Sequence, residues 1–194
     1  MSQRRRTGII ILCSLLAAVF IWLDHKSQFQ RGDLEKYHAK TSIVLNVVDG
    51  DTFDIDTPDS NQAYTRIRLW GVDTPETKSE EYGIMYFGPE ATEYTKKLAL
   101  GKRVTVYLDD ANRSRDKYGR LLAYIQLPDG RFLNEVLIAE GFAYADLRFH
   151  HSFYNKYQQL EASARSLKKG LWQKVTREQL PEWLQRMKPN LLNK

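Results

Sequence analysis

Hydrophobic and polar positions follow three different patterns along this 194-residue chain, and each predicts a different kind of structure. The first is a continuous apolar run: residues 8–23 (GIIILCSLLAAVFIWL) carry no charge over sixteen positions. That length lies at the short end of a bilayer-spanning helix and the long end of a signal-peptide core. The second, 24–40, is polar, mixed in charge and without a clear period, so it reads as a stalk. From Thr41 the pattern changes to short β-rich runs at 42–48, 52–56, 64–70, 103–109 and 121–127. Asp-Gly, Pro-Asp-Ser-Asn and Asn-Arg-Ser-Arg-Asp clusters separate them, which predicts five strands with turns between. Asp49-Gly50 between the first two is a hairpin signal.

Helical periods interleave with these strands. Pro89-Glu90-Ala91 opens one helix with proline in the first turn, and Gly101 closes it. A second covers 132–140 and stops at Gly141. The third is the most periodic: Phe153, Tyr157, Leu160, Ala164 and Leu167 recur at steps of 4, 3, 4 and 3, with Ser152 as the expected cap. A short helix at 181–187 precedes the end. Five strands with helices inserted between and after them predict an α+β domain built on a five-stranded OB-like Greek-key β-barrel with three helices. The division expected is 1–23 an N-terminal hydrophobic helix, 24–40 a stalk, 41–173 the barrel domain, and 174–194 a C-terminal tail.

Charge and composition narrow this reading. The formal charge is +5, but without Arg4, Arg5 and Arg6 the balance is 26 basic against 24 acidic side chains, a net of +2. Binding to a polyanion would have to be focused at a site, not spread over the surface. Cys13 is the single cysteine, so an internal disulfide is excluded. The apolar run ends in Ile21-Trp22-Leu23-Asp24-His25, without a small-x-small cleavage site, so an uncleaved membrane anchor is expected. Arg4 to Arg6 would stay in the cytoplasm and the domain would lie outside, or be secreted if the segment is cleaved.

Candidate chemistry sits in three motifs: Asp49-Gly50-Asp51-Thr52, then Arg68 followed by Asp73-Thr74-Pro75-Glu76, then Asp116-Lys117-Tyr118-Gly119-Arg120. Each has a bland alternative. Asp-Gly-Asp makes a turn, Asp73 caps a turn ahead of Pro75, Glu76 is an exposed loop carboxylate, and the basic loop holding Arg113, Arg115 and Lys117 is simply solvated. Together they supply what phosphodiester hydrolysis needs: hard carboxylate ligands for a cation, a carboxylate base for water, and guanidinium groups for the phosphorane oxygens. Two carboxylates with a backbone carbonyl and waters suit calcium better than zinc, and none of the four histidines shows zinc spacing. Alternation in Arg66-Ile67-Arg68-Leu69-Trp70 puts Arg66, Arg68 and Trp70 on one face, with at least one arginine inside or at the rim unless the strand is an edge.

The order DGDT, R-x-x-x-x-DTPE, DKYGR resembles the staphylococcal nuclease (thermonuclease) family, and the resemblance extends from about Ser42 to Trp172 through Tyr86-Phe87-Gly88-Pro89-Glu90-Ala91 and Asn134-Glu135. It implies a calcium-dependent endonuclease acting on DNA and RNA, with 3′-phosphate products. Carried over by position, Asp51, Asp73 and the Thr74 carbonyl would ligate Ca2+, and Glu76 would activate water. Arg68 and Arg120 would clamp the scissile phosphate, while Lys117 and Tyr118 would contact a neighbouring one. The family's two pocket tyrosines fall on Leu147 and Phe149, so a ring for base stacking survives at Phe149 and both hydroxyls are lost. Ser79, Glu80 and Glu81 stand where basic residues are usual. Single-stranded substrates are expected, and no obligate protein partner. Two other readings compete: an inactive OB-type nucleic-acid-binding module tethered to the membrane, and an interaction protein that uses the Trp183-bearing tail.

Overall fold

The computed structural model describes residues 30–77 and 83–192. The chain divides into two units, Met1–Lys36 and Tyr37–Lys194. In the first, the expected hydrophobic helix at 1–23 lies outside the described residues, as do Ser79, Glu80 and Glu81 in the second. Of the stretch read as an aperiodic stalk, 30–37 are helical, 38–39 form a turn and Lys40 begins the first strand. Among the described residues no helix is long and apolar enough to cross a membrane.

The second unit contains five strands in a closed barrel: β1 (Lys40–Asp49), β2 (Thr52–Ile55), β3 (Thr65–Leu69), β5 (Arg103–Tyr107) and β6 (Leu121–Gln126). Around the barrel they run β1-β2-β3-β6-β5, all antiparallel neighbours except β3 and β6, which pair in parallel with Ile67 opposite Leu121 and Arg68 opposite Leu122. The strands are those expected, within a residue or two at most ends. In β1 the inward positions run Ser42, Val44 and then Val47, because a register shift between Val44 and Asn46 moves the alternation by one residue. Phe53, Ile55, Ile67, Val106, Leu121 and Ile125 fill the interior and are 1% exposed or less.

Helices cover the barrel. Helix α1 (Gly88–Ala99) has proline in its first turn, as expected, and its Thr95 hydroxyl donates to the Gly50 carbonyl at 2.6 Å. Helix α2 (Leu133–Ala139) carries the fully buried Asn134, whose amide accepts from the Ile125 N–H at 3.0 Å and donates to the Trp70 carbonyl at 3.1 Å. That side chain joins the ends of β3 and β6. Helix α3 (Tyr154–Ser166) differs from its expected stripe: Tyr157, Glu161 and Ala164 are buried, and Leu167 is exposed. Ser152 does not cap it. Its backbone N–H is instead bound by Asp109 at 2.9 Å.

One small sheet was not anticipated. Strand β4 (Val72–Asp73) pairs with β7 (Tyr144–Ala145), two residues on each side. It ties the segment after β3 to the chain leading into α3. Beyond α3, two 3-10 turns lead to α4 (Glu182–Met187), where Leu180, Trp183 and Leu184 are buried. The tail is therefore packed and not a free surface.

Candidate active site

The β1–β2 hairpin turn places Asp51. Asp49 pairs with Thr52, so Gly50 and Asp51 occupy the two-residue turn, and Asp49 Oδ1 accepts the Asp51 N–H at 3.1 Å. A Cβ at Gly50 would fall 2.8 Å from Thr74 Cγ2 and Oγ1, so glycine there lets Thr74 approach. Thr74 uses that proximity: its N–H and hydroxyl both donate to Asp51 Oδ2, at 2.7 and 3.0 Å. The other oxygen of Asp51 accepts from the Thr52 hydroxyl at 3.0 Å and is ion-paired with Arg68 Nη1.

Arg68 extends from β3, which is not an edge strand, and its side chain is 13% exposed. Its second terminal nitrogen donates to Asp73 Oδ1 at 2.6 Å. A single guanidinium thus engages Asp51 and Asp73 together, and two residues distant in sequence have carboxylates facing the same point. Arg66, on the same face, pairs separately with Asp54 at 2.8 Å.

Glu76 follows on the loop after β4. Its carbonyl accepts the Met85 N–H at 2.9 Å, and a Cβ at Gly88 would lie 2.6 Å from that same oxygen. The close seat against the start of α1 fixes where Glu76 leaves the backbone. Partial desolvation raises its carboxyl pKa above the ordinary value; Asp49 and Asp73 add to the rise, and Arg68 and Arg120 oppose it. The Asp49 carboxyl is also raised by burial, with Arg68 as the main opposing influence.

Arg120 ends the tight turn 116–120. Asp116 organises that turn, accepting the N–H groups of Tyr118 and Arg120 at 2.9 and 3.0 Å on one oxygen and Arg120 Nε at 2.7 Å on the other. In the parallel β3–β6 register Arg68 lies opposite Leu122, two positions beyond Arg120. Of the basic loop, Arg115 is structural, paired with Asp59 at 2.5 Å. Lys117 lies 4.8 Å from the Tyr118 ring centroid, and that ring is exposed.

Asp51, Arg68, Asp73, Glu76, Lys117, Tyr118, Arg120 and Phe149 line one cleft of about 600 Å³, together with Asp49. Thr74 lines an adjoining cleft of about 780 Å³, and Asp73, Glu76 and Arg148 border both. Phe149 is exposed and stacked on Trp70, 6.1 Å between centroids at 23°, while Leu147 is buried away from the cleft. The sequence reading missed Asp49 as more than a turn residue, and it missed Arg148 and Trp183. Arg148 Nη2 lies 3.1 Å from Asp73 Oδ1, and Trp183 Nε1 donates to Asp73 Oδ2 at 2.8 Å. No local pattern marks either residue.

Similarity to known proteins covers most of this framework. A family model described as "Staphylococcal nuclease homologue" matches residues 66–174, more than half of the chain. The chain belongs to the staphylococcal nuclease family. Among its relatives, the thermonuclease of Staphylococcus hyicus is 32% identical over 168 residues, 86% of this chain and 96% of that protein. The thermonuclease of Staphylococcus intermedius is 31% identical, covering 87% and 97%. An uncharacterized endonuclease of Escherichia coli O157:H7 is 34% identical over 149 residues, 74% and 82%. The family match includes Arg68, Asp73, Glu76 and Arg120 but ends at residue 174, before Trp183.

Proposed function

We infer that this staphylococcal nuclease family member is a calcium-dependent nuclease that hydrolyses phosphodiester bonds of DNA and RNA, single strands preferentially. The observation that carries the reading is the convergence of Asp51 and Asp73 on one guanidinium, in a cleft that also holds Glu76 and Arg120. The relatives' names, thermonuclease and endonuclease, support the same reaction class.

The donor chemistry fits calcium. The cleft offers carboxylate oxygens, and among the described residues no histidine or thiol lines it. Asp51 and Asp73, with the Thr74 carbonyl, would hold the ion; among the described residues no group of three or more His, Cys, Asp or Glu side chains gathers to hold a metal, so water would have to complete the shell. Calcium, when bound, offsets phosphate charge and makes a bound water easier to ionise. Glu76 takes the proton of the attacking water, a task suited to a carboxylate whose pKa burial raises above its ordinary value. Arg68 and Arg120 donate to the non-bridging phosphate oxygens, which carry more charge in the pentacoordinate state than in the diester, so preplaced guanidiniums favour that state. Lys117 and Tyr118 face a neighbouring phosphate, and Phe149 offers a ring to a base. The 5′-oxygen leaves, giving 3′-phosphate ends.

An inactive binding module is the weaker reading, because Asp51, Arg68, Asp73, Glu76 and Arg120 are all retained. The apolar run 8–23 after Arg4-Arg5-Arg6 supports tethering with the nuclease domain outside the cytoplasm. Carbonate extraction of membranes and protease accessibility of the domain test that part. For the reaction, the full chain is assayed on single-stranded DNA and RNA with calcium and with chelator, and product ends are read by mass. Cleavage undiminished by the chelator rejects the metal assignment; products with 5′-phosphates reject the stated bond.

A further inference from the structure

Asp73 is bound on two sides by different parts of the chain. Oδ1 faces Arg68 and Arg148, which belong to residues 66–174. Oδ2 accepts the indole N–H of Trp183, 110 positions away in sequence, at 2.8 Å. The indole is 8% exposed, and its face carries the Arg148 guanidinium 4.8 Å from the ring centroid. This hydrogen bond is not a by-product of burying a large ring. The indole N–H groups of Trp70 and Trp172 are buried without an acceptor, whereas that of Trp183 meets a carboxylate.

The tail that carries Trp183 is anchored independently. Leu184 is fully buried and Leu180 is 3% exposed. Arg165 on α3 donates to the Leu191 carbonyl at 3.0 Å. Lys188 approaches the fully buried Glu161 at 3.8 Å, and Glu161 accepts the Ala145 N–H at 3.1 Å. Ala145 pairs with Val72, the residue before Asp73. The tail thus reaches Asp73 by two routes, through the indole directly and through Glu161 and the β4–β7 pair.

A carboxylate that must grip a cation gains from a fixed orientation, and a neutral donor on one oxygen fixes it without competing electrostatically for the ion. A lysine or arginine in that place would add a third positive charge to the two guanidiniums already facing Oδ1. We propose that Trp183 is a positioning residue of the catalytic centre: its indole N–H orients the Asp73 carboxylate for calcium, making the C-terminal tail part of the metal site. This rests on the reading of Asp73 as a calcium ligand. It assigns Trp183 no contact with substrate.

Calorimetric calcium titration of the full chain tests it, comparing wild type with Trp183→Phe, which keeps an aromatic ring against Arg148 and removes the donor together with part of the buried ring volume. Outer-shell partners of metal ligands are worth about 10- to 100-fold in metal affinity. The calcium dissociation constant of Trp183→Phe is expected to rise by about tenfold or more. An unchanged constant with a lowered melting temperature overturns the proposal, leaving Trp183 a packing residue. In wild-type protein the 15N–1H indole resonance of Trp183 should shift on calcium addition more than those of Trp70 and Trp172, a readout that survives if the variant misfolds. A Trp183 signal that stays still while calcium binds also overturns it. Wild type that binds no calcium at all is a separate result, and it removes the metal reading of Asp73 on which this proposal stands.

Discussion

Arg68 holds two carboxylates at once, so replacing it by methionine separates its structural role from the proposed catalytic one. Methionine keeps most of the volume and removes the charge. Asp51 and Asp73 are 5% and 13% exposed at the side chain, so the variant leaves two mutually repelling charges largely desolvated. Thr74 and Thr52 remain on Asp51, and Arg148 and Trp183 on Asp73, which limits the damage. Breaking a buried pair costs about 3–5 kcal/mol, and the remaining partners place this case at the lower end, about 3 kcal/mol. For a domain of this size that corresponds to a melting temperature lower by roughly 6–12 °C. A cation bound between the same carboxylates replaces the lost positive charge. The deficit measured in chelator should therefore shrink by half or more at saturating calcium, through the linkage of binding to folding. Differential scanning calorimetry with chelator and with calcium measures both values. Equal deficits in the two conditions would refute the claim that guanidinium and ion share one electrostatic seat. Activity should be lost in either case, since methionine donates nothing to phosphate.

Further expectations concern the same framework. Glu76→Gln should lower kcat by about 10²- to 10⁴-fold, the span of general base catalysis, while calorimetric calcium affinity changes little; wild-type turnover would remove Glu76 from the base role. Gly50→Ala puts a methyl 2.8 Å from Thr74 and should cost about 1–3 kcal/mol in urea unfolding, with weaker calcium binding; a neutral result would mean that Thr74 moves freely. Burial lowers the His151 pKa from 6.5 to about 4, despite Asp109 and Asp146 nearby. The folded state thus favours the neutral ring, so stability is full above pH 6.5 and falls as pH drops toward 4, by on the order of 3 kcal/mol. Burial alone would raise the Asp109 carboxyl, but donors including the Ser152 N–H and the Tyr124 hydroxyl lower it to about 2, so a second loss follows between pH 3.8 and 2. Melting temperatures from pH 7 to pH 2 check both windows, and a flat profile between 6.5 and 4 would reject the His151 contribution.

What was legible in the chain is what local rules govern. Barrel strands show as β-rich runs between turn clusters, and the DGDT, DTPE and DKYGR motifs bring their own turns, so the residues read from them line one cleft, except Thr74, which lines the adjoining one. The β4–β7 pair is only two residues long on each side and has no period to detect. Glu161 breaks the apolar stripe of α3 because its partners, Ala145 and Lys188, lie outside the helix. Ser152 looks like a cap, but the buried Asp109 carboxylate takes its N–H. Arg148 and Trp183 matter through a carboxylate far from both in sequence, and no short window contains that information.

The centre draws on chain positions from the first hairpin to the last helix, and the parallel seam between β3 and β6 joins strands with more than fifty residues between them. Pairings of that span form late and slowly, since loops must close before contacts repay them. A ribosome that has released only the first two-thirds of this polypeptide holds no docked tail, and hence no indole against Asp73. The Asp73 carboxylate therefore gains its full set of partners only once Trp183 has emerged and folded back.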